Sequence, residues 1–461
     1  MLTFFQKYKN VFFILGLTIC LVLFSYVLLQ RDIWYDEAYS GIAIRLPWGE
    51  LWNKVIHDVH PPLYYLLLKI WSIFWGSDTF SIRSFSMLLH VLSLFLFFHI
   101  AKFYLDKIAY LATAVFALSP FFLGYATEAR MYTLLCFFVF AGALLLFRFQ
   151  YQQKKYITLI LSSICFALGA LTHYFGLLAF ASAFFFICTE NKNTFFSKRS
   201  LTQVLLLLIP FFILFLPWLP FLLGQLNGLN SFGWIPPTDL NRFPESLAIF
   251  YYGNKLGTAG ESILHSFFLF FPPIILFSLF VVCIAKLKFK NEKYIHFLLS
   301  FTCIPFFLIY IAPVFGINLY LERYLLPFGA FLILCSVTAF YKVLHKTFLY
   351  LIFAAYFIGI IPFYYYIPLS KDYSTLLPAV KNIETLVMDN PFDYTVSKFY
   401  YPEKNILLLS PENDYTGWNI IDTSDVIKTL PATTDTAMIF RKNNPDGRGK
   451  EVGDFIVHIT E

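Results

Sequence analysis

Charge is what this 461-residue sequence has least of. Asp, Glu, Lys and Arg together make up 13% of it, against about 25% in an ordinary water-soluble domain. Such a chain cannot cover a globular surface with polar groups, so its solvent is largely lipid. Cysteine excludes two more classes. All seven cysteines (Cys20, Cys136, Cys165, Cys188, Cys283, Cys303 and Cys335) lie inside apolar runs, and none sits in a CxxC pair. That argues against a disulfide framework and a structural zinc site. Glycine-rich phosphate loops, HExxH and GxSxG are missing too, which speaks against ATP-driven chemistry and the common hydrolase patterns. The net charge of +6 is no nucleic-acid footprint, because the basic residues fall in short loops between apolar runs.

What is present is apolar length. Hydrophobic residues make up 59% and aromatics 21%, and mean hydropathy is +0.67. Runs near the ~20 residues that a bilayer demands cover 11–30, 79–101, 108–124, 130–147, 156–172, 174–189, 201–223, 262–285, 295–315, 323–341 and 347–368. The first, preceded by Lys7 and Lys9, is too long for a signal peptide and has no cleavage site after it, so it reads as an uncleaved first helix. The expectation is a polytopic α-helical membrane protein of about 11 transmembrane helices, spanning 1–368.

One stretch, Pro61 to Trp75, is short, aromatic and interrupted by Lys69. If it lies on the surface within an outer loop 31–78, the basic loops around Lys7, Lys102, Lys154, Lys192, Lys288 and Lys342 share one side. Only Asp106, Glu190 and Glu292 accompany them there. If it crosses, the positive-inside rule fails five times. The surface placement follows, with the N-terminus cytoplasmic in a plasma (inner) membrane. Residues 369–461 change character and carry no span. They read as a small extracytoplasmic α/β domain, with a helical stripe over Lys371–Met388 and short strands at Tyr394–Val396, Asn405–Leu409, Thr436–Phe440 and Asp454–Ile459.

The same topology gathers the polar residues on the outer face. Asp36 and Glu37 follow the first span among Trp34, Tyr35 and Tyr39. They read either as solvated acids in an aromatic belt or as a general base at the lipid–water boundary, where desolvation raises a carboxylate's basicity. His60 opens the His60-Pro-Pro-Leu63 stretch, and is either a loop histidine or a donor to a phosphate or sugar. Arg83 leads the second span, where an arginine can also snorkel. Glu128 and Arg130 interrupt an apolar hairpin, as a mutual pair or facing a cavity. Arg323 opens the tenth span, one turn before Pro327, placed to fork onto a phosphate at headgroup depth or to anchor the interface. Tyr64, Tyr125, His173 and Tyr324 are candidates for lining the same pocket.

This ordered set of Asp36-Glu37, His60-Pro-Pro-Leu63, Arg83, Glu128-Ala-Arg130 and Arg323-Tyr324…Pro327 resembles the GT-C glycosyltransferases over roughly residues 1–340. The nearest branch holds the protein O-mannosyltransferases and the aminoarabinose transferases of lipid A. The resemblance implies transfer of a sugar from a polyprenyl-phosphate-linked donor to a lipid, glycan or protein acceptor outside the cytoplasm. It makes Asp36 the catalytic base with Glu37 supporting its loop, and Glu128 the second acid. Arg323, Arg130, His60 and Arg83 would hold the donor phosphate. A single Glu128 in place of a DxD pair leaves the metal unknown, with no cofactor certain and a divalent cation open.

The chemistry fits without the likeness. An acceptor hydroxyl needs a carboxylate to take its proton. A phosphate leaves readily once cations neutralise its charge, so no second carboxylic acid is required. One displacement inverts the anomeric centre, unlike a retaining glycosidase. The rival readings are a transporter or lipid flippase, whose charges lie deep within repeated, broken helices, and a non-enzymatic scaffold.

Overall fold

The computed structural model describes residues 2–190, 197–227, 235, 237–238, 242–253, 279, 281–282, 294–365, 372–409, 423–429, 436–441, 450–452 and 455–460. The expected span at 262–285 lies almost entirely outside these residues. The described chain begins with α1 (Leu2–Leu29), α2 (Tyr35–Arg45), α3 (Trp48–Ile56), α4 (Leu63–Trp75) and α5 (Thr79–Leu105). It continues with α6 (Ala109–Leu118), α7 (Pro120–Ala126), α8 (Tyr132–Tyr151), α9 (Tyr156–Thr172) and α10 (Gly176–Glu190). Then come α11 (Lys198–Phe215), α12 (Leu219–Asn227), α13 (Arg242–Tyr252), α14 (Ile295–Ile311), α15 (Leu326–Val343) and α16 (Lys346–Tyr365).

Among the described residues, five helical segments are long and apolar enough to cross a bilayer: Thr79–Leu105, Tyr132–Tyr151, Lys198–Gln225, Ile295–Phe315 and Glu322–Val343. The pair α6 and α7, bent by 61°, makes a sixth if read as one broken span. Shorter apolar helices accompany them, α9, α10 and parts of α1 and α16 among them. The protein is thus a multi-pass membrane protein. The ambiguous stretch forms α4, whose 13 residues rise only about 20 Å at 1.5 Å each, short of a hydrocarbon core.

Local chemistry sets the helix ends. Asp78 caps α5 by accepting from the backbone N–H groups of Phe80 and Ser81 at 3.0 and 3.1 Å. The break between α6 and α7 falls at Ser119, before Pro120, because proline disfavours a helical residue ahead of it. The Ser119 hydroxyl donates to the Phe250 carbonyl at 2.6 Å, tying the break to α13. Inside lipid no hydrophobic force holds helices together, so close packing must do it. Two glycines serve as notches. A Cβ at Gly142 would meet the Phe166 ring at 2.8 Å, and one at Gly329 the Phe250 ring at 2.7 Å. Helix α15 is buried at every residue from Leu326 to Phe340 and forms the centre of the bundle, as its all-round apolar character requires.

After α16 the chain forms α17 (Asp372–Val380), β1 (Thr385–Met388), α18 (Pro391–Tyr400), β2 (Asn405–Leu409), β3 (Val426–Ile427), β4 (Thr436–Arg441), β5 (Lys450–Val452) and β6 (Phe455–Thr460). The sheet order is β3-β2-β1-β4-β6-β5, with β3, β2, β1 and β4 parallel and β6 antiparallel to both its neighbours. Two sequence expectations fail here. Tyr394–Val396 is not a strand but lies within α18. Asn390 caps that helix by accepting from the Asp393 N–H at 2.8 Å, and Pro391 sits at its first position. The helical stripe over Lys371–Met388 ends at Val380, and its last residues become β1. A few apolar residues cannot separate the two periods. The parallel pairing of Leu386 with Ile406 decides, since β1–α18–β2 is a crossover unit whose middle element must be the helix.

Candidate active site

The polar residues meet where α1, α7 and α9 end and α5, α8, α10 and α15 begin. The base of the site is a closed ion pair. Arg83 donates from Nε and Nη2 to the two Glu37 oxygens, both at 2.7 Å, and both side chains are wholly buried. Its remaining donors go to the carbonyls of Leu29 at 3.1 Å, Arg31 at 2.8 Å and Asp32 at 3.1 Å. Glu37 also accepts from the Ala129 N–H at 2.9 Å. Burial alone would push the Glu37 carboxyl up, but Arg83, Arg31 and the Ala129 N–H overcome it and hold the group below the usual carboxylate range. Arg83 is therefore not at hand for a donor phosphate, contrary to the sequence expectation. It staples the first loop to α5. Glu37, spent on the same pair, frames Asp36 and does not share its pocket.

Above that pair sits Asp36, in the first turn of α2. Its carboxylate lies 3.6 Å from Arg323 Nη1 and 3.9 Å from Arg130 Nε. Both separations exceed the 2.7–2.9 Å of a direct charge-assisted hydrogen bond, so the guanidiniums lean on it without closing. Arg130 is held by its own Nη1, which donates to the Asp36 carbonyl at 3.1 Å and reaches Ser40 Oγ and Tyr65 OH at 3.4 Å. The Arg323 guanidinium stands 5.4 Å from the Tyr324 ring and 6.0 Å from the Trp34 ring. Sequence reading offered a Glu128–Arg130 pair as one alternative. The structure pairs Glu128 with Arg31 instead, at 3.3 Å. Burial, reinforced by Glu37 and Asp36 and opposed by Arg31 and Arg323, pushes the Glu128 carboxyl up to about 7.

Several buried polar atoms face this space with no hydrogen-bond partner among the described residues: Trp34 Nε1, Tyr132 OH, Arg130 Nε and Glu128 Oε2. Buried groups of this kind cost about 1–3 kcal/mol each when unsatisfied, and a set that converges marks a place for a ligand.

His60 and His173 stack edge to face at 5.4 Å, and His173 also packs on Tyr324 at 4.7 Å. Burial and then the field of Arg130 hold His60 well below 6.5, and burial with Arg130 and Arg323 takes His173 down to about 3. Both are neutral. His173 Nδ1 accepts from the Phe175 N–H at 3.2 Å, so its proton sits on Nε2, which can donate. Tyr125 meets the Tyr132 ring edge to face at 5.2 Å, while Tyr64 is fully buried against Tyr65 and Phe85, under the pocket. Sequence reasoning missed Asp58. It accepts from Tyr65 OH at 2.9 Å, and burial raises its carboxyl against the pull of Arg130. Its signal was available, as an acid two residues before His60. Among the described residues no three His, Cys, Asp or Glu side chains gather as a metal-ligand set.

A membrane bundle with this polar centre at one end is similar to known proteins. The model of the dolichyl-phosphate-mannose-protein mannosyltransferase family matches residues 59–221. Among solved structures the chain is similar to ArnT from Cupriavidus metallidurans bound to undecaprenyl phosphate, with TM-score 0.59 and 12% identity over 98% of each chain. It is also similar to the apo oligosaccharyltransferase of Archaeoglobus fulgidus, with TM-score 0.51 and 12% identity over 85% of this chain and 63% of that one. A complex of that enzyme with zinc and sulfate gives 0.50 and 14%, over 83% and 61%. No curated protein matches the sequence. The fold is that of these GT-C-type membrane enzymes, and the stretch 59–221 is similar to the protein mannosyltransferases.

Proposed function

We propose that the protein transfers a sugar from a polyprenyl-phosphate donor to an acceptor at the extracytoplasmic face, with inversion at the anomeric carbon. The reading keeps about eleven spans, with the N-terminus in the cytoplasm and the site and a C-terminal α/β domain (369–461) outside. The observation that carries the proposal is the convergence of Arg130 and Arg323 on Asp36 beside unpartnered buried donors. Asp36 takes the acceptor hydroxyl proton as the oxygen attacks the anomeric carbon. The bond from that carbon to the phosphate oxygen breaks, and its electron pair leaves with the phosphate toward Arg130 and Arg323. Glu128 accepts from and orients the acceptor, while His60 and His173 Nε2 complete the polar wall. ArnT was solved with undecaprenyl phosphate bound, which supports a polyprenyl phosphate as the carrier. A divalent cation has no role in the proposal.

The test is turnover of a polyprenyl-phosphate sugar by purified protein, with binding of the polyprenyl phosphate measured alongside. Asp36→Asn should abolish transfer and keep binding, whereas Arg323→Ala should weaken binding. A wild type that binds but never turns over a panel of donors would move transport to the front.

A further inference from the structure

Helix α18 of the C-terminal unit lies directly on α2, the helix that begins with Tyr35, Asp36 and Glu37. The Phe392 ring meets the Tyr35 ring edge to face at 5.2 Å. Seven residues on, Phe399 packs on Gly41 so closely that a Cβ there would sit 2.3 Å from its Cε2 atom. Arg45, in the last turn of α2, donates to the Phe399 carbonyl at 2.7 Å and lays its guanidinium 4.3 Å from the Phe399 ring. Just before α2, Tyr400 OH accepts from the Ile33 N–H at 2.8 Å, and Asp32 accepts from the Tyr373 N–H at 2.8 Å. The C-terminal unit thus holds the chain at positions 32, 33, 35, 41 and 45, on both sides of Asp36.

The membrane bundle holds the same helix from the opposite side through Glu37 and Arg83. That pair fixes the rotation of α2 about its axis, since a bidentate guanidinium tolerates little turning. On the bundle side Arg130 and Lys69 also hold backbone carbonyls of α2, at Asp36, Ile44 and Leu46. The grips at Tyr35 and Gly41, about six residues or 9 Å apart, oppose sliding along the axis from the other side.

We propose that the C-terminal α/β unit is a brace that sets the position of Asp36 relative to Arg130 and Arg323, with Phe399, Phe392 and Tyr400 as positioning residues. The inference rests on Asp36 being the proton acceptor. A misplacement of about 1 Å can cost on the order of 10²-fold in rate. A methyl group at Gly41 falls about 1.2 Å short of the ~3.5 Å carbon contact distance. Either α2 or the Phe399 ring must give way by about that much, without either arginine being touched.

The experiment compares full-length wild type, Gly41→Ala, Gly41→Ala with Phe399→Leu, and Tyr400→Phe. For each, kcat, donor KM, polyprenyl-phosphate affinity and thermal midpoint are measured. Gly41→Ala should lose at least about tenfold in kcat, with phosphate affinity unchanged. The double variant, which returns the space, should recover most of that loss. Tyr400→Phe removes the hydroxyl's bonds to the Ile33 N–H and to Asp32 without changing shape and should lower kcat by a few-fold at constant KM. A Gly41→Ala enzyme as fast as wild type overturns the brace. So does a parallel fall of kcat and thermal midpoint that Phe399→Leu fails to rescue, because that is general destabilisation. If Gly41→Ala does not fold, an unchanged kcat in Tyr400→Phe refutes the proposal by itself. A wild type that binds polyprenyl phosphate and never transfers sugar sinks the parent reading, a result separable from all of these.

Discussion

The buried Arg83–Glu37 pair makes the sharpest stability prediction. Replacing Arg83 by Met strips Glu37 of both 2.7 Å bonds in a site with no solvent. Breaking one partner out of such a pair costs about 3–5 kcal/mol. The Leu29, Arg31 and Asp32 carbonyls lose their donor in the same step. Unfolding entropy of about 2.1 cal/mol/K per residue over 461 residues spreads that loss to a thermal shift of only roughly 3–5 °C. The local readout is larger. Hydrogen exchange of the amides from Ile33 to Ser40 should accelerate by about 10²- to 10³-fold, since their opening no longer breaks the pair. The pH dependence should also reverse. Glu37 sits below its usual 4.5 in the native protein, so its stabilisation is present above that pH and is lost as pH falls through the lower folded value. Without Arg83 the buried carboxyl rises instead, and stability then falls as pH climbs above 4.5. Arg83→Lys keeps the charge but not the fork, and should land between the two. Unchanged exchange rates and an unaltered sign of the pH slope in Arg83→Met would refute the reasoning.

Glu128, raised to about 7, should give an ascending inflection near pH 7 in kcat/KM that vanishes in Glu128→Gln and moves upward in Arg31→Met. The inflection should survive His173→Asn, because His173 near 3 does not titrate there. The same raised value means Glu128 lowers stability as pH rises from about 4.5 to 7, so a thermal-shift series should show Glu128→Gln gaining on wild type over that window. Gly176→Ala should be more damaging than Gly142→Ala by thermal midpoint. A Cβ at Gly176 meets the Ala170 backbone nitrogen at 2.3 Å, whereas at Gly142 it meets only the Phe166 ring. Lys69 donates to the carbonyls of Ile44 and Leu46 at 2.8 and 2.5 Å, closing the end of α2. Lys69→Met should therefore cost about 1–3 kcal/mol and loosen exchange at residues 44–46.

Which residues share one end of the bundle was legible because it depends only on counting apolar runs and on the placement of lysines. Asp36, Arg130 and Arg323 stand 94 and 193 positions or more apart, yet loop parity alone puts them together. Partner choice was not legible. Arg83 chose Glu37, Glu128 chose Arg31, and Tyr400 reached Ile33, because such pairings follow from helix rotation and from distances of a few ångströms that no spacing encodes. The strand Asn405–Leu409 was readable from its own β-type run. Residues 394–396 were not, because a Tyr-Thr-Val run of three suits either period until the crossover between β1 and β2 is known. Lys69, which interrupts the apolar run from Pro61 to Trp75, caps the end of α2.

Charge conservation ties the proposed chemistry to the loose geometry around Asp36. A polyprenyl-phosphate sugar is a phosphodiester with one negative charge, and the polyprenyl phosphate it leaves behind carries up to two. In the same step Asp36 would lose its charge by taking the acceptor proton. Negative charge therefore moves from the carboxylate to the leaving phosphate, with no change in the total. Arg323 and Arg130 stand within 3.6 and 3.9 Å of the carboxylate that gives the charge up. Their Nε atoms and the unpartnered Tyr132 and Trp34 donors need only a small shift to follow it. Fixed donors that serve both ends of such a displacement lower the barrier more than donors that must first be recruited from water. Closed 2.8 Å bonds between Asp36 and the arginines would work against this, because each would have to break before the phosphate could be held. The pair that is closed, Arg83 and Glu37, begins one residue from Asp36 and lies outside the proposed transfer.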